Sequence, residues 1–226
     1  MPLFGNFDWS GLVQLFFLLS DGFIISVKVF VLTILFSLPL GLITALGRMS
    51  KSKLINGPVK LFILIMRGTP LILQIAFVYF APFYIFPEGL KINLDRLVAA
   101  ILACTLNYAA YFAEIYRGGI ESIPKGQYEA AAVLGFSRAQ TFVRIILPQV
   151  IKRILPPVSN EIITLVKDTA LVSTIGIVEL YRIATGEASR VFSSVPLLFA
   201  ALFYLFMNWV VTEVLQKAEK KLSYYR

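Results

Sequence analysis

Five long apolar runs, separated by short polar breaks, dominate this chain. They occupy about 23–46, 59–86, 97–116, 145–172 and 195–215. A helix needs roughly 20 residues to cross a hydrocarbon core, so the pattern predicts five membrane-spanning helices. The second run is interrupted at Arg67-Gly68-Thr69-Pro70, and the fourth carries Pro148, Pro156 and Pro157, which predict a break near its start. Ahead of the first run, Trp9, Leu12, Val13, Phe16 and Phe17 recur at helical spacing among Asp8, Ser10 and Gln14. That pattern predicts a helix over 1–20 lying in the membrane interface. Residues 1–20 hold no Lys or Arg, so the basic n-region of a secretory signal is missing there.

The breaks differ in charge. Arg48, Lys51, Lys53 and Lys60 follow the first run without an acid between them. Arg117, Lys125, Arg138 and Arg144 surround the third break, and Lys217, Lys220, Lys221 and Arg226 end the chain. On the other side, Lys91 and Arg96 are balanced by Glu88 and Asp95, and Arg182 and Arg190 by Glu179 and Glu187. The excess of positive charge predicts that the third break and the C-terminus lie in the cytoplasm and the N-terminus outside.

Composition narrows the chemistry. The 226 residues are 58% hydrophobic and 15% charged, with mean hydropathy +0.79. Net charge is +8, but the basic residues flank spans, which argues for a membrane setting and against a nucleic-acid partner. Histidine is absent and Cys104 is the one cysteine, so no disulfide framework, Ser-His pair or Cys-His pair exists. A transition-metal site would have to be built from carboxylates alone. A Gly-x-x-x-x-Gly-Lys-Ser/Thr phosphate cradle is missing as well, so any work driven by ATP must come from a separate chain.

The third break reads as structure. Pro124 to Leu134 predicts a short helix, with Gly135 as its stop. Ser137 and Gln140 form a capping-box pattern that opens the next helix. Ala130, Ala131 and Ala132 leave the helix surface without bulk, and Glu129 adds one charge. Such a surface suits a groove on a partner protein; the alanines equally favour helix for its own sake.

Polar residues inside the runs are the candidate site. Asn160, Glu161, Thr164, Lys167 and Asp168 share an arc of about 120° on the fourth helix. Either Lys167 bridges Glu161 and Asp168 in a self-satisfied cluster, or the five form the polar wall of a path across the bilayer. Charged groups there are expensive without a partner or a cavity. Glu161 is the acid with the fewest local partners and is expected to meet a cation. On the third helix Asn107, Tyr111, Glu114 and Gly118 share a face, with Tyr108 beside them. Hydrogen bonding between helices and contact with a solute are both open for Asn107, Tyr108 and Tyr111. Glu114 is expected to pair with Lys152 or Arg153. At the interrupted second run, Gly68 and Pro70 are expected to end one helical piece and start another, with Thr69 as cap and Gln74 one turn on. Free backbone groups there would bind a charged solute group, or the break is only a packing kink.

Glu129-Ala130-Ala131, three residues, Gly135, nine residues, then Ile145, Leu147 and Pro148 resemble the loop by which membrane subunits of ABC importers engage their ATPase. Arg67 to Gln74, Tyr111 to Gly119 running into Gln127, and Asn160-Glu161 through Thr169 resemble the histidine, arginine and glutamine uptake permeases. The resemblance covers about residues 20–220. It implies a second permease copy or paralogue, two ATPase subunits that bind ATP and Mg, and an extracytoplasmic solute-binding protein.

The expected architecture is an all-α membrane protein of five transmembrane helices with an N-terminal interfacial helix and a cytoplasmic coupling helix. Its parts are 1–20, a membrane domain over 21–220 with the coupling loop at 121–140, and a tail over 221–226. The expected role is a permease subunit, not an enzyme and without its own cofactor, that imports polar and above all basic L-amino acids through a bacterial inner membrane. The candidate substrate contacts are Glu161, Asn160, Thr164, Asp168, Lys167, Asn107, Tyr108, Tyr111, Thr69 and Gln74; the coupling residues are Glu129, Ala130, Ala131 and Gly135. A gradient-driven secondary transporter would use the same intramembrane acids but has no need of the Glu-Ala-Ala loop.

Overall fold

In the computed structural model, residues 9–85 and 93–222 are described, and their ordered elements are all helical. Helix α1 (Trp9–Arg48) runs through 40 residues, about 60 Å at helical rise and roughly twice the hydrocarbon thickness. This corrects the separate interfacial helix expected over 1–20: from Trp9 onward that stretch is the first part of α1, and residues 1–8 lie outside the described residues. Leu15 and Leu19 are buried in a cluster with Leu180, Ala184, Val195 and Ala200, whereas Trp9, Val13, Phe16 and Phe17 of the expected stripe are exposed.

Helix α4 (Arg96–Glu121) is capped by Asp95 and packs along α1. Small residues are buried along both helices: Thr33, Ser37, Gly41 and Ala45 on α1, and Ala99, Ala103, Ala109, Ala110 and Ala113 on α4. Close backbone approach supplies dispersion contact where lipid offers no hydrophobic drive. At Gly41 a Cβ would stand 2.8 Å from the Cβ of Phe112, so only glycine fits.

Helices α2 (Lys53–Gly68) and α3 (Leu71–Ile85) are bent by 113° at their junction. Pro70 dictates the break, because proline forces the preceding Thr69 into extended backbone (φ −124°, ψ 148°). Gly68 does not: it is the last residue of α2, and a Cβ there would meet nothing within 4 Å.

Helix α5 (Lys125–Val133) ends as expected at Gly135, whose φ of 81° is left-handed. The Gly135 amide donates to Ala132 and the Phe136 amide to Ala131, the double bond pattern of a Schellman stop. Ser137 then opens α6 (Arg138–Thr141) with both capping-box hydrogen bonds formed. A π-helical segment (Phe142–Ile146) leads into α7 (Leu147–Asp168). Pro148 has no N–H to give, and the Leu147 amide reaches back five residues to Phe142. The expected break at Pro156 and Pro157 is corrected, since α7 continues through both.

A 3₁₀ segment (Thr169–Ile175) and Gly176 turn the chain into α8 (Leu180–Val191), and α9 (Val195–Leu222) closes the fold. Among the described residues α1, α4 and α9 are each long and apolar enough to cross a membrane, and the α2–α3 pair qualifies as one bent span or a re-entrant loop. Helix α7 falls outside that set because it carries Lys152, Arg153, Glu161, Lys167 and Asp168.

Candidate functional site

The bend between α2 and α3 is stitched by side chains. The Gln74 amide donates to the carbonyl of Met66 at 2.9 Å and to the Thr69 hydroxyl at 2.8 Å. Asn107 on α4 donates to the same Met66 carbonyl at 3.0 Å and to Gln74 Oε1 at 2.9 Å. Thr69 donates back to Ile65 at 2.8 Å, so it closes α2 instead of capping α3 as expected. The Ile65, Met66 and Thr69 carbonyls at the break are thus satisfied internally. Gln74 and Asn107 are buried in this task.

On α7 the polar arc divides into two parts. Asn160, Thr164 and Lys167 are exposed, while Glu161 and Asp168 are partly buried. Tyr108, 2% exposed, donates its hydroxyl to Asp168 Oδ2 at 2.7 Å. The bridging role considered for Lys167 is corrected: among the described residues it pairs with neither Glu161 nor Asp168. Glu161 has no hydrogen bond or ion pair among the described residues, and the positive charge of Arg67 acts on it from a distance. Glu161 is therefore a half-buried carboxylate without a partner among the described residues, beside the exposed Asn160 and Thr164 on α7.

A cleft of about 400 Å³ lies between α1, α2 and α4. Arg48, Lys60, Arg67, Gly68, Tyr111 and Glu114 line it. The Arg67 guanidinium sits 5.1 Å from the centre of the Tyr111 ring. Glu114 is held by Arg117, whose Nη2 donates at 2.6 Å and Nε at 3.2 Å, with Arg48 and Arg67 each at 3.9 Å. This replaces the pairing expected with Lys152 or Arg153. Arg153 instead donates to Ser122 at the end of α4.

The loop helix α5 is bound firmly to the start of α7. Gln127 and Gln149 exchange amide hydrogen bonds, and Ile123, Ile146 and Val150 form a small core beneath them. Ala131 is 1% exposed and belongs to the underside of α5. This corrects its expected place on a docking surface. Glu129, Ala130, Ala132 and Gly135 are exposed, together with Val133 (88%) and Leu134 (74%).

Residues 37–224 match the profile of the family described as "Binding-protein-dependent transport system inner membrane component". The chain belongs to that family. It is 36% identical over 220 residues to the L-cystine transport system permease protein TcyB of Bacillus subtilis, spanning 96% of this chain and 92% of that protein. It is 35% identical to the glutamine transport system permease protein GlnP of Escherichia coli, with 96% and 99% covered. It is 34% identical to the arginine transport system permease protein ArtQ of Bacillus subtilis, with 96% and 98% covered. The fold matches a chain from the crystal structure of an amino acid ABC transporter with histidines, at TM-score 0.85 and 33% identity over 96% of this chain and 99% of that one.

Three features of this permease escaped the sequence reading. Arg67 was weighed for its backbone alone, yet its side chain faces Tyr111, Glu114 and the field of Glu161. The Gln127–Gln149 pair joins residues 22 apart and leaves no periodic signal. Glu179, counted as a loop charge, is fully buried; it caps α8 through the amides of Tyr181 and Arg182 and accepts from Tyr204 and Ser26. An acid immediately before an amphipathic stretch was the available cue.

Proposed function

We propose that the chain is the transmembrane permease subunit of an ATP-driven importer of polar, and specifically basic, L-amino acids. The carrying observation is Glu161, a half-buried carboxylate on α7 with no partner among the described residues. Such a group in a membrane needs a visiting cation, and a guanidinium or ammonium meets that need with a charge-assisted hydrogen bond. Relatives named for arginine, glutamine and cystine transport support an amino acid as that visitor. In this reading α7 is the fourth of five spans, its polar arc lines the path with Asn160, Thr164 and Lys167, and the N-terminus lies outside with the C-terminus in the cytoplasm. A second copy or paralogue faces the exposed Asn160 and Thr164 on α7. The exposed edge of α5, from Glu129 to Gly135, docks a separate ATPase that binds ATP and Mg, and an extracytoplasmic binding protein delivers the substrate.

The test is uptake of labelled arginine, lysine, histidine and glutamine by the reconstituted complex, with wild type and Glu161→Gln at equal content. Loss of the basic amino acids with glutamine retained supports the reading. Arginine uptake equal to wild type in Glu161→Gln refutes the role of Glu161. Equal loss of all four leaves the acid reading the α-ammonium and removes the basic preference.

A further inference from the structure

We infer that the cleft between α1, α2 and α4 is a second substrate subsite on the cytoplasmic side of the path, in which Arg67 takes the α-carboxylate of the departing amino acid. The inference rests on the importer reading above and adds the recognition of the anionic end. The cleft is built for an anion. Arg48, Lys60 and Arg67 line it, and its one acid, Glu114, is engaged through both oxygens by Arg117. At 3.9 Å, Arg48 and Arg67 stand beside that carboxylate without a short hydrogen bond to it. Arg48 is already engaged by Asn56 Oδ1 at 2.8 Å, which leaves Arg67 as the cleft guanidinium without a hydrogen bond among the described residues.

A chain of contacts links the cleft to the polar arc of α7. Asp168 accepts from Tyr108, the Tyr108 and Tyr111 rings lie 6.3 Å apart, Arg67 covers Tyr111, and Arg67 acts on both Glu161 and Glu114. Acidic, phenolic and basic groups thus lead from the end of α7 to the basic end of α1. An amino acid whose ammonium rests at Glu161 would find Arg67 on the cytoplasmic side, with its side chain 44% exposed. A planar guanidinium suits a carboxylate through two parallel hydrogen bonds.

Equilibrium binding to the purified permease–ATPase complex, without nucleotide or binding protein, separates this role from a structural one. The ligands are L-arginine and agmatine, which lacks the carboxylate; the variants are Arg67→Gln and Arg67→Lys. Arg67→Gln is expected to weaken arginine binding about 10- to 100-fold while agmatine changes less than about twofold, and Arg67→Lys recovers most of the arginine loss. Equal weakening of both ligands, or unchanged arginine binding, overturns the inference and leaves the importer reading standing. Wild type that binds none of arginine, lysine, histidine and glutamine overturns the importer reading itself and this inference with it. An anionic lipid headgroup is the competing occupant. If the variant's defect appears in wild type once phosphatidylglycerol is added to phosphatidylcholine nanodiscs, the cleft is a lipid site and the carboxylate assignment falls.

Discussion

Gln127 and Gln149 grip each other twice, each side-chain amide donating to the other's carbonyl oxygen, at 3.0 and 2.6 Å. The pair clamps the loop helix α5 onto the first turn of α7, the helix that carries Glu161 and Asp168. Movement imposed on α5 therefore reaches the polar arc as movement of one rigid piece. Gln149→Leu removes both bonds, each worth about 1 kcal/mol net, and a loss of that size changes a two-state balance roughly 5- to 30-fold. The expected outcome is a complex that assembles and hydrolyses ATP but shows uptake reduced by such a factor. Unimpaired uptake per ATP would show that the clamp does not transmit motion.

Ala131 and Ala130 are expected to respond in opposite ways to the same substitution. Ala131 lies against the core under α5, so Ala131→Trp overpacks it at about 1–3 kcal/mol and lowers thermal stability in detergent. Ala130 is exposed, so Ala130→Trp leaves the melting temperature unchanged and blocks co-purification of the ATPase. The reverse pattern would place the docking surface on the other side of α5.

The bend at Pro70 is expected to be indispensable and Gly68 dispensable. Gly68→Ala meets open space and gains up to about 1 kcal/mol of helix propensity in α2. Pro70→Ala releases Thr69 from its extended backbone and allows α2 and α3 to straighten. Uptake assays should find Gly68→Ala near wild type and Pro70→Ala severely impaired. Equal effects would mean that the bend is set by the Gln74 and Asn107 stitches alone.

Tyr108→Phe leaves Asp168 without its 2.7 Å donor. Stranding a partly buried carboxylate costs about 1–3 kcal/mol, to be read as reduced thermal stability of the complex. Adding Asp168→Asn removes the charge that was stranded, so the double variant should recover part of that loss. A Tyr108→Phe variant as stable as wild type would show that Asp168 finds another donor, with Lys167 the nearest candidate in the chain.

What the sequence alone determined is the local punctuation of the chain. The extended Thr69 before Pro70, the glycine stop at Gly135 and the Ser137–Gln140 box all arise from atoms within a few residues of each other, so composition and spacing suffice to read them. The apolar runs were legible for the same reason, as was membership in a transport family through motifs with fixed gaps. Only the tertiary structure decided which polar groups are spent and which remain open. Asp168 and Glu161 look alike on a helical wheel, yet Tyr108, 60 residues away in sequence, engages the first and leaves the second. Ala131 turned inward and Arg67 turned toward Tyr111 because neighbouring helices occupy those sides. The interfacial stretch joined α1 because α8 and α9 offered Leu15 and Leu19 a protein surface to pack on. In each case the deciding partner is distant along the chain, and periodicity carries information only about the element in which it occurs.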